Sequence, residues 1–524
     1  MAKKGIISGA IVLTVAGLIT RVLGFAYRIY MSNIMGAEGI GLYQLVFPVY
    51  SLAWSVTCAG FTMTVSKLTA QEKARGEHGN AFRILWRSVT ITTALGVIAA
   101  ALIYVFAEGI ASTFFSEARI GLSFKILAVG IPFMSAGSCV RGYFFGVQET
   151  TVPALNQVLE QLVRMAVIFF IMGFFLPYGL EYACAAATIG IVAEEIFSFG
   201  FIYFMFKSYR EANGEVKKAS MSERKTLSTI LTMAAPLTAN RVAGSLLATL
   251  ENALIPRRLQ AFGMSASAAM SAYGQISGMA MPLIYFPSAF LVSLSISLVP
   301  AVSEASAVGQ NSRIGYTASK SLLFSCIIGF CAAVMFMTFS KEMGLVIYKQ
   351  DLSGSLFLFG VMCPLLYMQV VISGILNGLG YQTFMFINSL ISSAISIAFV
   401  YFLTPIYGVN AFIAGWFISL AVVCVFEVGK LKTSIDLRID FLSWFLKPAL
   451  CAAVSGLLAR VAADRWLFQA LGGAMGLLSA VIMILIIYMT LIVASGCVSV
   501  KDLRSVADSV KKRNMSPEEE LAGA

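Results

Sequence analysis

Residues 129–156 read VGIPFMSAGSCVRGYFFGVQETTVPALN, and residues 361–388 read VMCPLLYMQVVISGILNGLGYQTFMFIN. At an offset of 232 residues they match at Val129 with Val361, Pro132 with Pro364, Gly142 with Gly374, Gly146 with Gly378, Thr151 with Thr383 and Asn156 with Asn388. Glu72 and Glu304 fall on the same offset. Proline fixes a kink and glycine lets two helix backbones approach closely, so matches in these residue types mark a shared architecture. The competing explanation is convergence of Gly and Pro on helix ends. A true internal repeat is favoured because the order of apolar runs and the charges between them agree with it.

Outward from this repeat, composition decides the solvent. Of the 524 residues, 59% are hydrophobic and 12% charged, and mean hydropathy is +0.85, which excludes a soluble domain. Long apolar runs with short polar connections mean spanning helices, and the ten-residue alternation of a membrane barrel is absent. Windows of roughly 20 apolar residues give six spans between Gly5 and Phe206, six between Thr226 and Phe426, and two between Phe441 and Ala494. The expected fold is an all-α integral membrane protein of about fourteen transmembrane helices, arranged as two pseudo-symmetric six-helix lobes plus two C-terminal helices. The expected organisation is an N-terminal lobe over 1–207, a linker over 208–225, a C-terminal lobe over 226–431, two further helices over 432–497 and a charged tail over 498–524. With an even number of spans each, the halves run in the same direction, are related by a two-fold axis along the membrane normal and enclose a central cavity.

Loop charges orient the map. Most of the 37 Lys and Arg fall on one side, including Lys3, Lys4, Lys67, Lys73, Arg75, Arg83, Arg87, the loop from Lys207 to Lys225 and the tail from Lys501 to Arg513. The positive-inside rule then puts both termini in the cytoplasm. The net charge of +11 is explained by anionic lipid and calls for no nucleic-acid partner. Arg21 and Arg28 interrupt the first apolar run and no small-residue cleavage site follows it, so it reads as a retained span. Cysteines such as Cys58, Cys139 and Cys184 lie in apolar segments without a C-x-x-C motif, and the single histidine, His78, sits in a basic loop. Neither a metal site nor a Ser-His-Asp triad is expected, and no cofactor beyond a coupling H⁺ or Na⁺.

Ionisable groups at membrane depth cost roughly 2.5–3.5 kcal/mol on insertion scales, so each is a functional candidate. Arg21 and Arg28, seven residues apart, lie about 20° from alignment on one helix face. Gly17 and Gly24 are near that face, which suits a wet, anion-binding cavity. Arg241 in the seventh span is expected to converge on them across the pseudo-axis. Arg141 and Arg164 are further candidates, with snorkelling the alternative for Arg141 and neutralisation by Glu160, four residues earlier, the alternative for Arg164. Glu194, Glu195 and Glu251 are the candidate ion-coupling groups, against structural pairing with a neighbouring arginine. Gly36, Gly39, Gly41 and Tyr43 read as a turn between the first two spans. Pro132 and Pro364 are candidate hinges, and packing kinks are the commoner use of such prolines.

The run Leu18, Ile19, Thr20, Arg21, Val22, Leu23, Gly24, Phe25, with Tyr27, Arg28, Asn33, Gly36, Glu38, Gly39, Gly41, Leu42, Tyr43 and Pro48 after it, resembles the opening of the stage V sporulation protein B family. The similarity extends through Ser66, Lys67 and Leu68. That family lies in the multidrug/oligosaccharidyl-lipid/polysaccharide exporter superfamily. The resemblance implies two six-helix lobes with alternating access and a lipid-linked sugar as cargo. In related flippases of the MurJ type an Arg-Val-Leu-Gly-Phe stretch carries a cavity arginine, which Arg21 matches. A second arginine follows there by six residues, whereas Arg28 follows by seven, and Glu38 stands where the family has an acid in the adjoining loop.

The leading expectation is a flippase that moves an undecaprenyl-pyrophosphate-linked saccharide, lipid II or a related peptidoglycan precursor, from the inner to the outer leaflet. Arg21, Arg28 and Arg241 would hold the pyrophosphate, and cell-wall synthesis proteins are candidate partners. An ion-coupled exporter of cationic drugs predicts an acidic, aromatic-lined cavity. A non-transporting scaffold of a wall-synthesis complex predicts arginines that pair off completely. A membrane glycosyltransferase would need a large external loop with paired carboxylates, and none is present.

Overall fold

The computed structural model describes residues 2–212, 219–435, 437 and 440–497, with side chains from residue 12 onward. The expected tail over 498–524, the centre of the linker and the side chains of Lys3 and Lys4 lie outside the described residues. Among the described residues the chain is helical and forms no strand. Its first seven helices are α1 (Ala2–Gln44), α2 (Val46–Trp54), α3 (Gly60–Ala74), α4 (His78–Gly109), α5 (Gly121–Gly146), α6 (Thr151–Phe175) and α7 (Leu180–Ala212). There follow α8 (Glu223–Ala261), α9 (Ala266–Tyr273), α10 (Met281–Ala307), α11 (Asn311–Thr338), the one-turn α12 (Ser340–Met343), α13 (Ser353–Gly378) and α14 (Gln382–Ala398). The one-turn α15 (Thr404–Tyr407), α16 (Val409–Ser434), α17 (Lys447–Ala462) and α18 (Phe468–Ala494) complete the series.

Among the described residues, eleven helical stretches are long and apolar enough to cross a membrane. Two of them, Val12–Ala74 and Leu442–Ala494, each hold two of the expected spans. The expected seventh span is α8, whose polar residues keep it below that hydropathy. The Gly36–Tyr43 segment is a kink and not a turn. The helix continues through it to Gln44, broken only at Gly36, whose φ of 68° L-residues other than glycine rarely adopt. Gly39 and Gly41 serve packing: a Cβ on Gly39 would stand 3.1 Å from Leu180 Cδ2, and one on Gly41 3.0 Å from Met270 Cγ.

Packing divides the chain into two compact units, one holding the residues up to Ala289 together with Phe386–Ser419, the other Phe290–Met385 and the chain from Leu420 onward. In the first unit α3, α4, α5 and α7 share a core of Phe61, Val65, Leu85, Cys139, Phe144 and Phe206, with Ile230 of α8 packed into it. The start of α8 is tied to α4, since the Met221 N–H donates to Asn80 Oδ1 at 2.9 Å and Arg83 donates to the Met221 carbonyl. In the second unit α17 and α18 fasten onto α11. A Cβ on Gly456 would stand 2.9 Å from Thr338 Oγ1, and Tyr488 donates to the Ile327 carbonyl at 2.9 Å.

The repeat has a physical counterpart inside each unit. A Cβ on Gly142 would lie 2.6 Å from the Thr62 carbonyl oxygen, and one on Gly374 2.7 Å from that of Ser295. Gly146 abuts the Ser66 carbonyl at 2.6 Å and Gly378 that of Val299 at 2.8 Å in the same sense. The Cα of Pro132 faces Gly96 and the Cα of Pro364 faces Gly329, at 3.2 and 2.6 Å from a Cβ built there. Both candidate hinge prolines therefore sit in tight helix crossings, where glycine on the neighbour makes room for the proline's backbone.

Candidate functional site

Within the first unit, α1, α2, α3, α5, α6 and α7 enclose a cavity of about 590 Å³. Its polar lining includes Arg21 from α1, Tyr50 from α2, Arg141 from α5, Glu160, Gln161 and Arg164 from α6, and Glu194 and Glu195 from α7. On α6 Glu160, Gln161 and Arg164 lie within one turn, three and four residues apart, so that helix turns a short polar face inward. Trp54, Met134 and Phe145 supply the apolar wall.

The charges are organised as pairs. Arg141 Nη2 donates to Glu160 Oε1 at 3.0 Å. Glu160 is further held by Asn156 Nδ2 at 2.7 Å and by Ser198 Oγ. Arg164 Nε stands 3.0 Å from Glu194 Oε2. Neither of those two atoms has an aligned hydrogen bond, so their contact is an ion pair without directional fit. Tyr50 donates its hydroxyl to Glu195 Oε1. Arg21 differs from the other two arginines. Its Nη1 donates to the main-chain carbonyl of Ala289 at 3.2 Å, and among the described residues no carboxylate pairs with it. Three arginines thus face three glutamates, two in pairs, with Arg21 and Glu195 left over.

Several expectations need correction. The cavity is not a cationic stripe, because the glutamates balance the arginines. Arg164 is paired with Glu194 on the neighbouring helix and not with Glu160 four residues before it, and Glu160 instead serves Arg141. Arg28 shares the azimuth of Arg21 but not its depth. Seven residues carry it about 10 Å further along α1, where it interacts electrostatically with Tyr43 and does not line the cavity. Arg241 is exposed on α8, which contributes no residue to this lining. Instead α8 packs beside α2, with Thr249 donating to the Pro48 carbonyl at 3.2 Å. Glu38 also lies elsewhere, its carboxylate held by Arg119 Nη1 at 2.7 Å and Ser267 Oγ at 2.6 Å. Glu251 accepts from Ser396 Oγ, away from the cavity.

Sequence reading missed Tyr50 and Gln161 as members of the site, and Glu427, a buried carboxylate on α16. The signal for Glu427 was present, since it falls 232 residues after Glu195. Among the described residues no three of His, Cys, Asp and Glu are grouped to hold a metal ion.

Comparison with known proteins bears on what this cavity serves. The family model described as "Polysaccharide biosynthesis protein" matches residues 6–306. Stage V sporulation protein B of Bacillus subtilis (strain 168) is 32% identical over 408 residues, which cover 77% of this chain and 78% of that protein. Lipid II flippase MurJ of the same organism is 24% identical over 364 residues, 62% of this chain and 63% of its own. A solved structure of lipid II flippase MurJ in an inward closed conformation superposes with a TM-score of 0.66 at 14% identity, covering 92% of this chain and 98% of that one. An inward-facing multidrug resistance MATE family transporter of the MOP superfamily gives a TM-score of 0.61 at 16% identity, over 81% of this chain and 99% of that one. These structures share the fold with this chain.

Proposed function

The chain belongs to the polysaccharide biosynthesis protein family, in the stage V sporulation protein B branch of the MOP superfamily, and as a multi-pass membrane flippase or exporter, we propose, it carries a lipid-linked saccharide. Its kin are transporters and not enzymes, so no bond in the cargo is made or broken. The cargo of this reading is an undecaprenyl-pyrophosphate-linked saccharide, lipid II or a related peptidoglycan precursor such as one destined for a spore cortex, moved from the inner to the outer leaflet by alternating access. Both termini lie in the cytoplasm in this reading, by the positive-inside rule.

One observation carries it: Arg21 opens onto the first-unit cavity with its guanidinium on a single carbonyl and on no carboxylate. A guanidinium so placed has N–H donors to spare, and the matching ligand is planar and anionic, a phosphate above all. The polyprenyl tail needs no pocket, because it stays in the bilayer while the headgroup crosses. Glu194 and Glu195, with Glu251 as the third candidate, are the groups through which a proton or Na⁺ would couple transport to a gradient.

A second reading, an ion-coupled exporter of cations, is favoured by Glu195, which pairs with a tyrosine and not with an arginine, and by Tyr50 and Trp54 beside it. Translocation of labelled lipid II in proteoliposomes decides between them. The intact chain is expected to move lipid II, and Arg21→Ala, reconstituted in equal amount, to do so at least about tenfold more slowly, as the loss of a charge-assisted hydrogen bond implies. Efflux of a cationic dye with no movement of lipid II would replace the first reading by the second.

A further inference from the structure

The cavity holds buried N–H donors that no protein acceptor answers. Arg164 Nη2 donates to Gln161 Oε1 at 2.7 Å, which fixes the orientation of that amide and leaves Gln161 Nε2 unpaired. Gln161 is only 6% exposed, and its Nε2 stands 3.9 Å from a Cβ built on Gly24, so it faces the glycine groove of α1 one turn from Arg21. Arg141 Nε is likewise buried without an acceptor, and Arg164 Nε has only the misaligned Glu194 Oε2, 3.0 Å away. Unanswered donors in a buried site are costly, and two of them beside a third that is poorly aligned with its acceptor call for a ligand rich in acceptor oxygens.

The nearest internal acceptor fits badly. Glu194 stands 3.0 Å from Arg164 Nε, yet its Oε2 makes no aligned hydrogen bond, whereas Glu160 is held by Arg141, Asn156 and Ser198 together. Of the two ion pairs, the one at Arg164 is the looser.

We propose that Glu194 is a displaceable internal counter-ion: a phosphate of the cargo's diphosphate takes Arg164 from it and accepts from the unpaired Gln161 Nε2, and the released carboxylate binds one proton from the aqueous side. The inference rests on the anionic-cargo reading above and supplies its coupling step. Without proton uptake, the diphosphate and Glu194 would set two anions against one guanidinium in a desolvated site. With it, the Glu194 carboxylate becomes a neutral acid, Arg164 exchanges a carboxylate for a phosphate, and no covalent bond in the cargo changes. The groups facing Glu194 are Arg164 and Glu160 from α6 and Arg141 from α5, with Glu195 beside it on α7. Tyr27 and Tyr43 of α1 and Tyr50 of α2 also interact with it. The second arginine among them, Arg141, is already paired with Glu160 at 3.0 Å, so no unpaired guanidinium in this set takes Glu194 once Arg164 is taken.

Calorimetric titration of the full chain in nanodiscs with UDP-N-acetylglucosamine tests this. That soluble diphosphate diester keeps a constant charge between pH 6 and 8, so protons exchanged on binding belong to the protein. Repeating the titration in buffers of different ionisation enthalpy should show close to one proton taken up per ligand bound. Glu194→Gln, which keeps the shape but cannot ionise, should show none and bind about tenfold more tightly at pH 8, since Arg164 is no longer contested. Weaker binding by Glu194→Gln, an unchanged proton count, or no binding by the intact chain overturns the proposal. Lipid II translocation, followed in parallel, separates the two ideas. Transport with identical pH profiles in the intact chain and Glu194→Gln keeps the flippase and removes the exchange. Proton-linked diphosphate binding without lipid II transport keeps the exchange and removes lipid II as cargo.

Discussion

The two repeats agree in their packing and disagree in their charges. Gly142, Gly146 and Gly96 with Pro132 make close backbone contacts in the first, and Gly374, Gly378 and Gly329 with Pro364 make the corresponding contacts in the second. At the same offset of 232 residues, Arg141 becomes Ser373, Glu160 becomes Ser392, Arg164 becomes Ser396 and Glu194 becomes Phe426. Of the charges around the cavity only Glu195 has an ionisable counterpart, Glu427. Steric demands at a helix crossing are the same whichever half it occupies, so small residues persist. A buried charge has no structural necessity and a large desolvation cost, so it survives only where the site uses it.

The largest effect should come from breaking that asymmetry at Arg164. Arg164→Ala leaves Glu194 buried without its cation and should lower stability by about 3–5 kcal/mol. Ser396→Ala at the equivalent position removes one hydrogen bond to Glu251 and should lower it by about 0.5–1.5 kcal/mol. Thermal unfolding of the two variants in detergent measures the difference, and equal losses would mean that the second repeat carries a charge centre of similar weight.

The packing half of the comparison predicts symmetry. Gly142→Ala and Gly374→Ala each push a Cβ to within 2.6 and 2.7 Å of a carbonyl oxygen, so each should destabilise by about 1–3 kcal/mol, and by similar amounts. Denaturant titration of the pair would break the equivalence of the two seams if one alanine were tolerated and the other not.

What could be read beforehand follows the same line. The helical class, the repeat and the set of intramembrane arginines were legible, because hydropathy, Gly and Pro positions and the cost of a charge in lipid act along the chain. The partners were not. Helical periodicity gives the azimuth of Arg21 and Arg28 but not their depth against a neighbour, and it points to Glu160 for Arg164 because i,i+3 and i,i+4 are the only proximities a helical sequence displays. The actual partner, Glu194, is set by how α6 and α7 cross. Gln161 escaped notice because an amide in a span carries no charge to flag it, and its importance rests on one donor left without an acceptor.

The smallest expected effect is the sharpest test of the charge comparison. Glu427 is 2% exposed and one of its carboxylate oxygens has no hydrogen-bond partner among the described residues, whereas Glu195 receives the Tyr50 hydroxyl. An unanswered buried carboxylate oxygen adds nothing to packing, so Glu427→Gln, of the same shape, should change stability by less than about 1 kcal/mol, in the stabilising direction. If the second repeat is scaffold in this respect, lipid II transport by Glu427→Gln should match that of the intact chain, while Glu195→Gln should slow it. Loss of transport in Glu427→Gln without loss of stability would assign the second repeat a coupling carboxylate of its own. The two halves would then differ in their arginines alone, and the retained pair Glu195 and Glu427 would be the functional signature of the repeat.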